Sequence, residues 1–162
     1  MEYEIKYNID QSSIPDVEYW LDRVLIPGPA YPDSIVSSIY FDSYELNSYR
    51  EKLNGDYLKT KYRIRWYETP GITQSSNFPV VAQTKRKRGN IRIKESMPID
   101  IDPMCLLNNS IDSAKIIDCQ SHFNSMKCPP EETLFPVVLI RYRRKRYLEP
   151  ISGLRVCIDY DI

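Results

Sequence analysis

One histidine, His122, is present in 162 residues, and the four cysteines, Cys105, Cys119, Cys128 and Cys157, form no CxxC pair. A zinc site of thiolates and imidazoles is therefore not expected. Net charge is lacking as well. Lys and Arg number 22, as do Asp and Glu, which removes any whole-molecule electrostatic case for nucleic acid. No apolar run approaches the roughly 18 residues of a membrane span. The N-terminal MEYEIKYNI has no leader pattern, so the thiols are expected to be reduced and the setting cytoplasmic.

What the chain does have is basic residues at every second position in several stretches. Lys61, Arg63 and Arg65 stand in KYRIRWY, Lys85 and Lys87 in QTKRKRG, Arg92 and Lys94 in IRIKE, and Arg144 and Arg146 in RYRRKRY. Period two puts alternate side chains on one face of a strand. The opposing positions are partly apolar: Tyr62, Ile64 and Trp66, then Ile91 and Ile93. Residues 61–95 hold nine Lys/Arg against two acids, Glu68 and Glu95, and residues 141–146 hold five basic residues and no acid. The charge is concentrated on particular strands, which side by side would build a basic surface or line a basic cavity. Parity sets Arg86, Arg88, Arg141, Arg143 and Lys145 on the opposite side, expected to face solvent.

The length suits one domain with a core of its own. Strands are expected at 2–9, 34–42, 59–68, 79–87, 91–96, 136–148 and 154–161. Residues 15–25 carry Val17, Trp20, Leu21, Val24 and Leu25 at helical spacing, and the Val17/Trp20/Leu21 stripe, like Tyr40 and Phe41, reads as core. A short helix at 44–53 ends at Asn54-Gly55. Arg88-Gly89-Asn90 reads as a hairpin turn, residues 69–78 as a polar loop, and 103–127 as helical pieces broken around Asn108-Asn109. No repeat or linker interrupts residues 1–162, so the expectation is a single α+β domain, mainly antiparallel, with helices between strands.

These residues resemble a known family. Glu2-x-Glu4-x-Lys6 is similar to the ExExK signature of the CYTH, or triphosphate tunnel metalloenzyme, superfamily. IYFDSYELNSYREKLNG, then KYRIRWY, KRKRGNIRIKE, RYRRKRY and GLRVCIDYDI, resemble its VTC branch in order along nearly the whole chain. The resemblance implies an antiparallel β-barrel whose polar tunnel holds nucleoside triphosphate and polyphosphate. It implies a phosphotransferase that moves the terminal phosphoryl group onto a polyphosphate chain, or a relative that hydrolyses triphosphate, with Mn²⁺ or Mg²⁺ on carboxylates. Carried over by position, Arg63, Arg65, Lys85, Lys94, Arg144 and Arg155 would be the catalytic cations. Lys6 and Tyr142 would bind substrate, and Glu4 and Glu2 would take the metal. A plain salt bridge to Lys6 is an equally good reading of these two acids. Family members run on for further strands and a helix, so the resemblance implies a truncated barrel completed by a C-terminal segment or by another chain.

The chemistry agrees with the residue types. Same-face side chains on a strand lie roughly 6.5–7 Å apart, and neighbouring strands about 4.8 Å apart. A grid of Arg and Lys at that spacing meets several phosphates at once, with arginine gripping through parallel donors and lysine acting as a point charge. Phosphoryl transfer requires mainly positioning and charge neutralisation. One position departs from the family pattern: Gln83 stands where a glutamate is usual, and an amide lacks the charge a divalent ion favours. That departure gives a second expectation, a module that binds polyphosphate or inositol pyrophosphate without turnover. A third, single-stranded nucleic acid stacked on Trp66, Tyr67 and Tyr142, is opposed by the zero net charge.

Overall fold

The alternation in KYRIRWY folds as strand over its whole length, and the elements around it follow in simple order. The computed structural model describes residues 4–28, 32–68, 79–89 and 91–162. A 3₁₀ turn, Gln11–Ser13, leads into α1, Ile14–Val24; β1 is Ile26–Pro27, β2 Ser34–Asp42 and α2 Asn47–Asn54. Then come β3, Leu58–Glu68, β4, Val80–Arg88, and β5, Ile91–Ile99. Helices α3, Pro103–Asn108, and α4, Ala114–Ile117, continue into a 3₁₀ segment, Asp118–Ser125, and β6, Phe135–Leu148, and β7, Arg155–Tyr160, follow. All described pairings are antiparallel, as the α+β expectation requires. Two compact units divide the chain: Ile35–Arg141, and Met1–Ser34 with Tyr142–Ile162. Strand β6 runs from the first unit into the second.

In the larger unit β2, β3, β4 and β5 pair in sequence, with Ile39 opposite Ile64, Tyr62 opposite Thr84, and Lys85 opposite Lys94. Ile39, Phe41, Tyr62, Ile64, Trp66, Val80 and Ala82 all point to one face, where Leu106, Ile116, Cys119 and Phe123 from the helical segment cover them. Phe123 is fully buried and meets Phe41 and Tyr62 edge-on, with ring centroids 5.3 and 5.4 Å away. Burying a side chain of this size contributes about 1.5–3 kcal/mol, and the edge-on geometry suits the ring quadrupoles. Burial also pushes the Tyr62 phenol up to about 12 and the Cys119 thiol up to about 11.

Local chemistry places the connections. Asp42, at the end of β2, accepts from the amides of Ser48 and Tyr49 at 2.9 and 3.0 Å, satisfying free donors in the first turn of α2. Gly55 ends α2 at φ 76°, a left-handed conformation that glycine adopts without strain. Glu51 of α2 accepts from the Thr60 amide at 2.8 Å, tying the helix to β3. Asp102 caps α3 through the Met104 amide, and Pro103 occupies the first helical turn.

In the smaller unit β6 pairs with β1 on one side and β7 on the other. Leu21 of α1 packs with Tyr147 and Ile158, and Val17, Leu25, Val156 and Tyr160 surround them.

Several expectations need correction. Residues 4–10 have no regular structure and are exposed, so the strand expected over 2–9 is absent there; alternation makes a strand only where a neighbour takes its ladder bonds. Trp20 is 60% exposed, although Leu21 beside it is buried; one turn of α1 faces the sheet and Trp20 lies off that stripe. The polar loop at 69–78 and Asn90 of the hairpin lie outside the described residues.

Candidate functional site

The face of β2–β5 opposite the helices is built by the parity that makes the core. With Tyr62, Ile64 and Trp66 turned to the helices, Lys61, Arg63 and Arg65 turn the other way. Antiparallel partners share a face. Register therefore adds Ser38 and Tyr40 from β2, Lys85 and Gln83 from β4, and Lys94 and Ser96 from β5. Lys61, Lys85 and Lys94 stand directly opposite one another across three strands. Lys59, Lys87 and Arg92 repeat that row one step further along.

The two arginines of this face are held by neutral groups. Arg63 donates from Nε to Gln83 Oε1 at 2.9 Å and from Nη1 to the Tyr40 hydroxyl at 3.2 Å. Gln83 donates in turn from Nε2 to Ser96 Oγ at 3.0 Å. Arg65 donates from Nε to Ser38 Oγ at 2.8 Å and is only 8% exposed. Among the described residues no carboxylate lies within ion-pair distance of Arg63 or Arg65. Burying a guanidinium without an ionic partner costs several kcal/mol. The crowding shows in the titration of neighbours. Burial, with Lys52, Lys85 and Arg63 nearby, holds Lys61 below its ordinary value against a smaller opposing effect of Tyr40. Burial alone would raise the Tyr40 phenol, but Arg63, Arg65 and Lys61 together bring it down.

Tyr40 is thus part of the basic face, although its neighbour Phe41 is core as expected. Extending the period-two rule into β2 would have revealed it, because Ser38 and Tyr40 alternate there with Ile39 and Phe41. Trp66 is completely buried, so it offers no stacking surface for a nucleic-acid base. Arg86 lies on the side opposite Lys85, partly exposed beside the helical segment, with its Nη1 donating to Cys128 Sγ at 3.6 Å. Arg141 pairs with Glu68 at 2.7 Å.

The smaller unit repeats the two-faced plan with its charges matched. Lys145 faces α1 and meets Glu18 at 3.0 Å, a helix-covered position where solvent was expected, and Arg143 meets Asp161 at 3.4 Å. On the other face of β6, Arg144 donates from Nε and Nη2 to both oxygens of Asp159, each at 2.6 Å, and from Nη2 to Tyr142 Oη at 3.1 Å. The Asp159 bond raises the guanidinium further above its ordinary value. Register puts Arg155 opposite Leu148, on the Arg144 face. Lys6 lies in the irregular N-terminal segment, 3.5 Å from Glu4, both well exposed. Of the expected site residues, then, Arg63, Arg65, Lys85 and Lys94 gather on one face of the larger unit. Tyr142, Arg144 and Arg155 share a face of the smaller one, and Glu2 lies outside the described residues.

The expected metal needs a cluster of donors. Among the described residues no three His, Cys, Asp or Glu side chains gather into a donor set. Glu4 sits beside Lys6, Asp159 is engaged by Arg144, and the Gln83 amide is used on both ends. These donors do not fit a divalent ion caged by protein, and no step below passes through one.

Each unit is of the α+β class, with antiparallel strands carrying helix on one face and cations on the other. The family model of the VTC domain matches residues 1–162, and the chain belongs to that family, which brings with it the CYTH-like superfamily and a relation to polyphosphate polymerases. No curated protein gives a significant match to the chain. No helix among the described residues is long and apolar enough to cross a membrane.

Proposed function

We propose that the basic face of β2–β5 binds a linear phosphoanhydride, the triphosphate of a nucleotide or a polyphosphate chain. The observation that carries this reading is Arg65, a buried cation whose partner is a hydroxyl. No carboxylate among the described residues complements its charge, so a ligand is left to do so, and the Lys61–Lys85–Lys94 row places further positive charge on the same face across the strands. Isothermal titration of the chain with tripolyphosphate and with long-chain polyphosphate tests it. Arg65→Ala is expected to lose most of the affinity; equal binding by the parent and this variant overturns the proposal.

Family membership favours a second, finer reading, in which binding serves phosphoryl transfer. In that reaction the terminal oxygen of a polyphosphate chain attacks the γ-phosphorus of a nucleoside triphosphate. The bond from that phosphorus to its bridging oxygen breaks, and the nucleoside diphosphate leaves with the electron pair. Arg63 and Arg65 would neutralise charge on the transferred group. Chain growth from ATP, followed by gel electrophoresis of polyphosphate, checks this reading. Binding without growth leaves a polyphosphate-binding module. The four free cysteines suit a reducing, cytoplasmic setting.

A further inference from the structure

Among the described residues the partners of Arg63 are all neutral, and they form a connected set. Tyr40 Oη and Gln83 Oε1 accept two of the five guanidinium N–H groups, at 3.2 and 2.9 Å, and Ser96 Oγ accepts from the far end of Gln83 at 3.0 Å. No described residue accepts from the other three N–H groups of Arg63, which stand in a fork of fixed orientation. A carboxylate at position 83 would orient the guanidinium equally well but would cancel its charge. An amide orients it and leaves the charge whole. The Gln83 amide is itself fixed, because turning it over would oppose its NH₂ to the Arg63 N–H. Tyr40 adds its ring, 5.9 Å from the Arg63 carbon, to the same clamp.

Resting on the proposed anion site, we infer that Tyr40, Gln83 and Ser96 are positioning residues that form a charge-neutral frame around Arg63, so that phosphate oxygens are held by the guanidinium directly and without a protein-bound divalent ion. Specificity follows from the frame. It favours a fully charged anion that arrives without its metal, and it disfavours a ligand whose oxygens are already occupied by one.

Titration of the full chain with sodium tripolyphosphate, in buffer containing a chelator and in buffer containing Mg²⁺, decides the matter. The parent is expected to bind in chelator at least as tightly as in Mg²⁺. Gln83→Glu is expected to bind ten-fold or more weakly in chelator and to recover part of that loss in Mg²⁺, where the new carboxylate has a cation to share. Tyr40→Phe keeps the ring and loses the acceptor; it is expected to bind three- to ten-fold more weakly with an unchanged melting midpoint. The Arg63 Nε–H resonance is expected to move in Gln83→Glu without any ligand present, a change that a loss of fold elsewhere does not mimic. Parent binding that needs Mg²⁺ and vanishes in chelator overturns the neutral frame and leaves the anion site standing. Undiminished binding by Gln83→Glu in chelator does the same. A parent that binds in neither buffer overturns the anion site and the frame together.

Discussion

Two sheet faces of this chain carry arginines on the same period-two pattern and treat them in opposite ways. On β6 and β7, Arg144 is gripped by both oxygens of Asp159, while Lys145 and Arg143 on the other face have Glu18 and Asp161. On β3, Arg63 and Arg65 have only hydroxyls and an amide among the described residues. Sequence density of positive charge is therefore a poor guide to where an anion binds. RYRRKRY is the most basic run in the chain, yet four of its five cations, Arg141, Arg143, Arg144 and Lys145, already have carboxylates, whereas the arginines of the sparser KYRIRWY have none among the described residues. Partner chemistry, not the count of cations, separates a wall that is internally balanced from one that needs a ligand.

The sharpest way to break this contrast is a matched pair of truncations. Arg65→Ala removes a buried cation from the open face and is expected to weaken tripolyphosphate binding about 100-fold, since losing one partner of a buried charged contact costs about 2–5 kcal/mol. Arg144→Ala is expected to cost less than ten-fold, because Asp159 already competes for that guanidinium. Equal losses in calorimetry would erase the distinction.

A gain of function tests the same idea from the other side. Asp159→Asn uncovers Arg144 and is expected to add a weak second tripolyphosphate site on the smaller unit, on the scale of about one kcal/mol for releasing a partly exposed pair, with the affinity of the β2–β5 face unchanged. Asp161→Asn releases Arg143, on the face turned toward Tyr147 and α1, and is expected to change affinity little. If both variants behave alike, only net charge matters.

A structural strain on the open face comes next. Gly89 closes the β4–β5 hairpin at φ 58°, and a Cβ there would come within 2.6 Å of the Tyr57 ring. Gly89→Ala is expected to destabilise the protein by about 1 kcal/mol from the left-handed conformation, with the exposed Tyr57 side chain swinging aside. Urea denaturation of the variant measures it.

The smallest effect is that of pH. Lys61 titrates below its ordinary 10.5 in the folded chain. In the interval below 10.5 the folded state thus binds fewer protons than the unfolded one, so this group's contribution to stability rises with pH there. Binding has the opposite sign, because an anion favours protonated Lys61. Affinity is expected to fall about two-fold as pH climbs through that interval, with proton uptake detected by calorimetry in buffers of different ionisation enthalpy.

Much of this was legible without coordinates, for a definite reason. Parity along one strand is local, so the assignment of Arg63 and Arg65 to one face and Ile64 and Trp66 to the other could be read directly from KYRIRWY. Partners across strands are not local. That Ser38 meets Arg65, and Tyr40 meets Arg63, depends on the β2–β3 register across an intervening helix, and nothing in SSIYFD announces it. The pairing of Arg144 with Asp159 is hidden likewise in the β6–β7 register. The N-terminal segment shows the converse: MEYEIKYNI has the composition of a strand, but strand formation is a two-body event. Helical spacing defines a stripe only to within one position, so of the two neighbours it points to the core, α1 buries Leu21 and leaves Trp20 exposed.

Glu68 and Glu95 sit on the helix side of the larger sheet, where Glu68 accepts from Ser37, Trp66 and Arg141, and Glu95 from the Lys127 amide. Across β3, β4 and β5 the two acids lie on one side and the lysine rows on the other, so the sheet carries its excess of positive charge on the lysine side. A polyanion approaching the lysine side from solvent feels attraction before any contact forms, and the acids behind the sheet are too far back to cancel it. Such a layer acts on encounter rather than on grip: it raises the association rate, and it does so less as salt shortens the reach of the field to about 8 Å at physiological ionic strength.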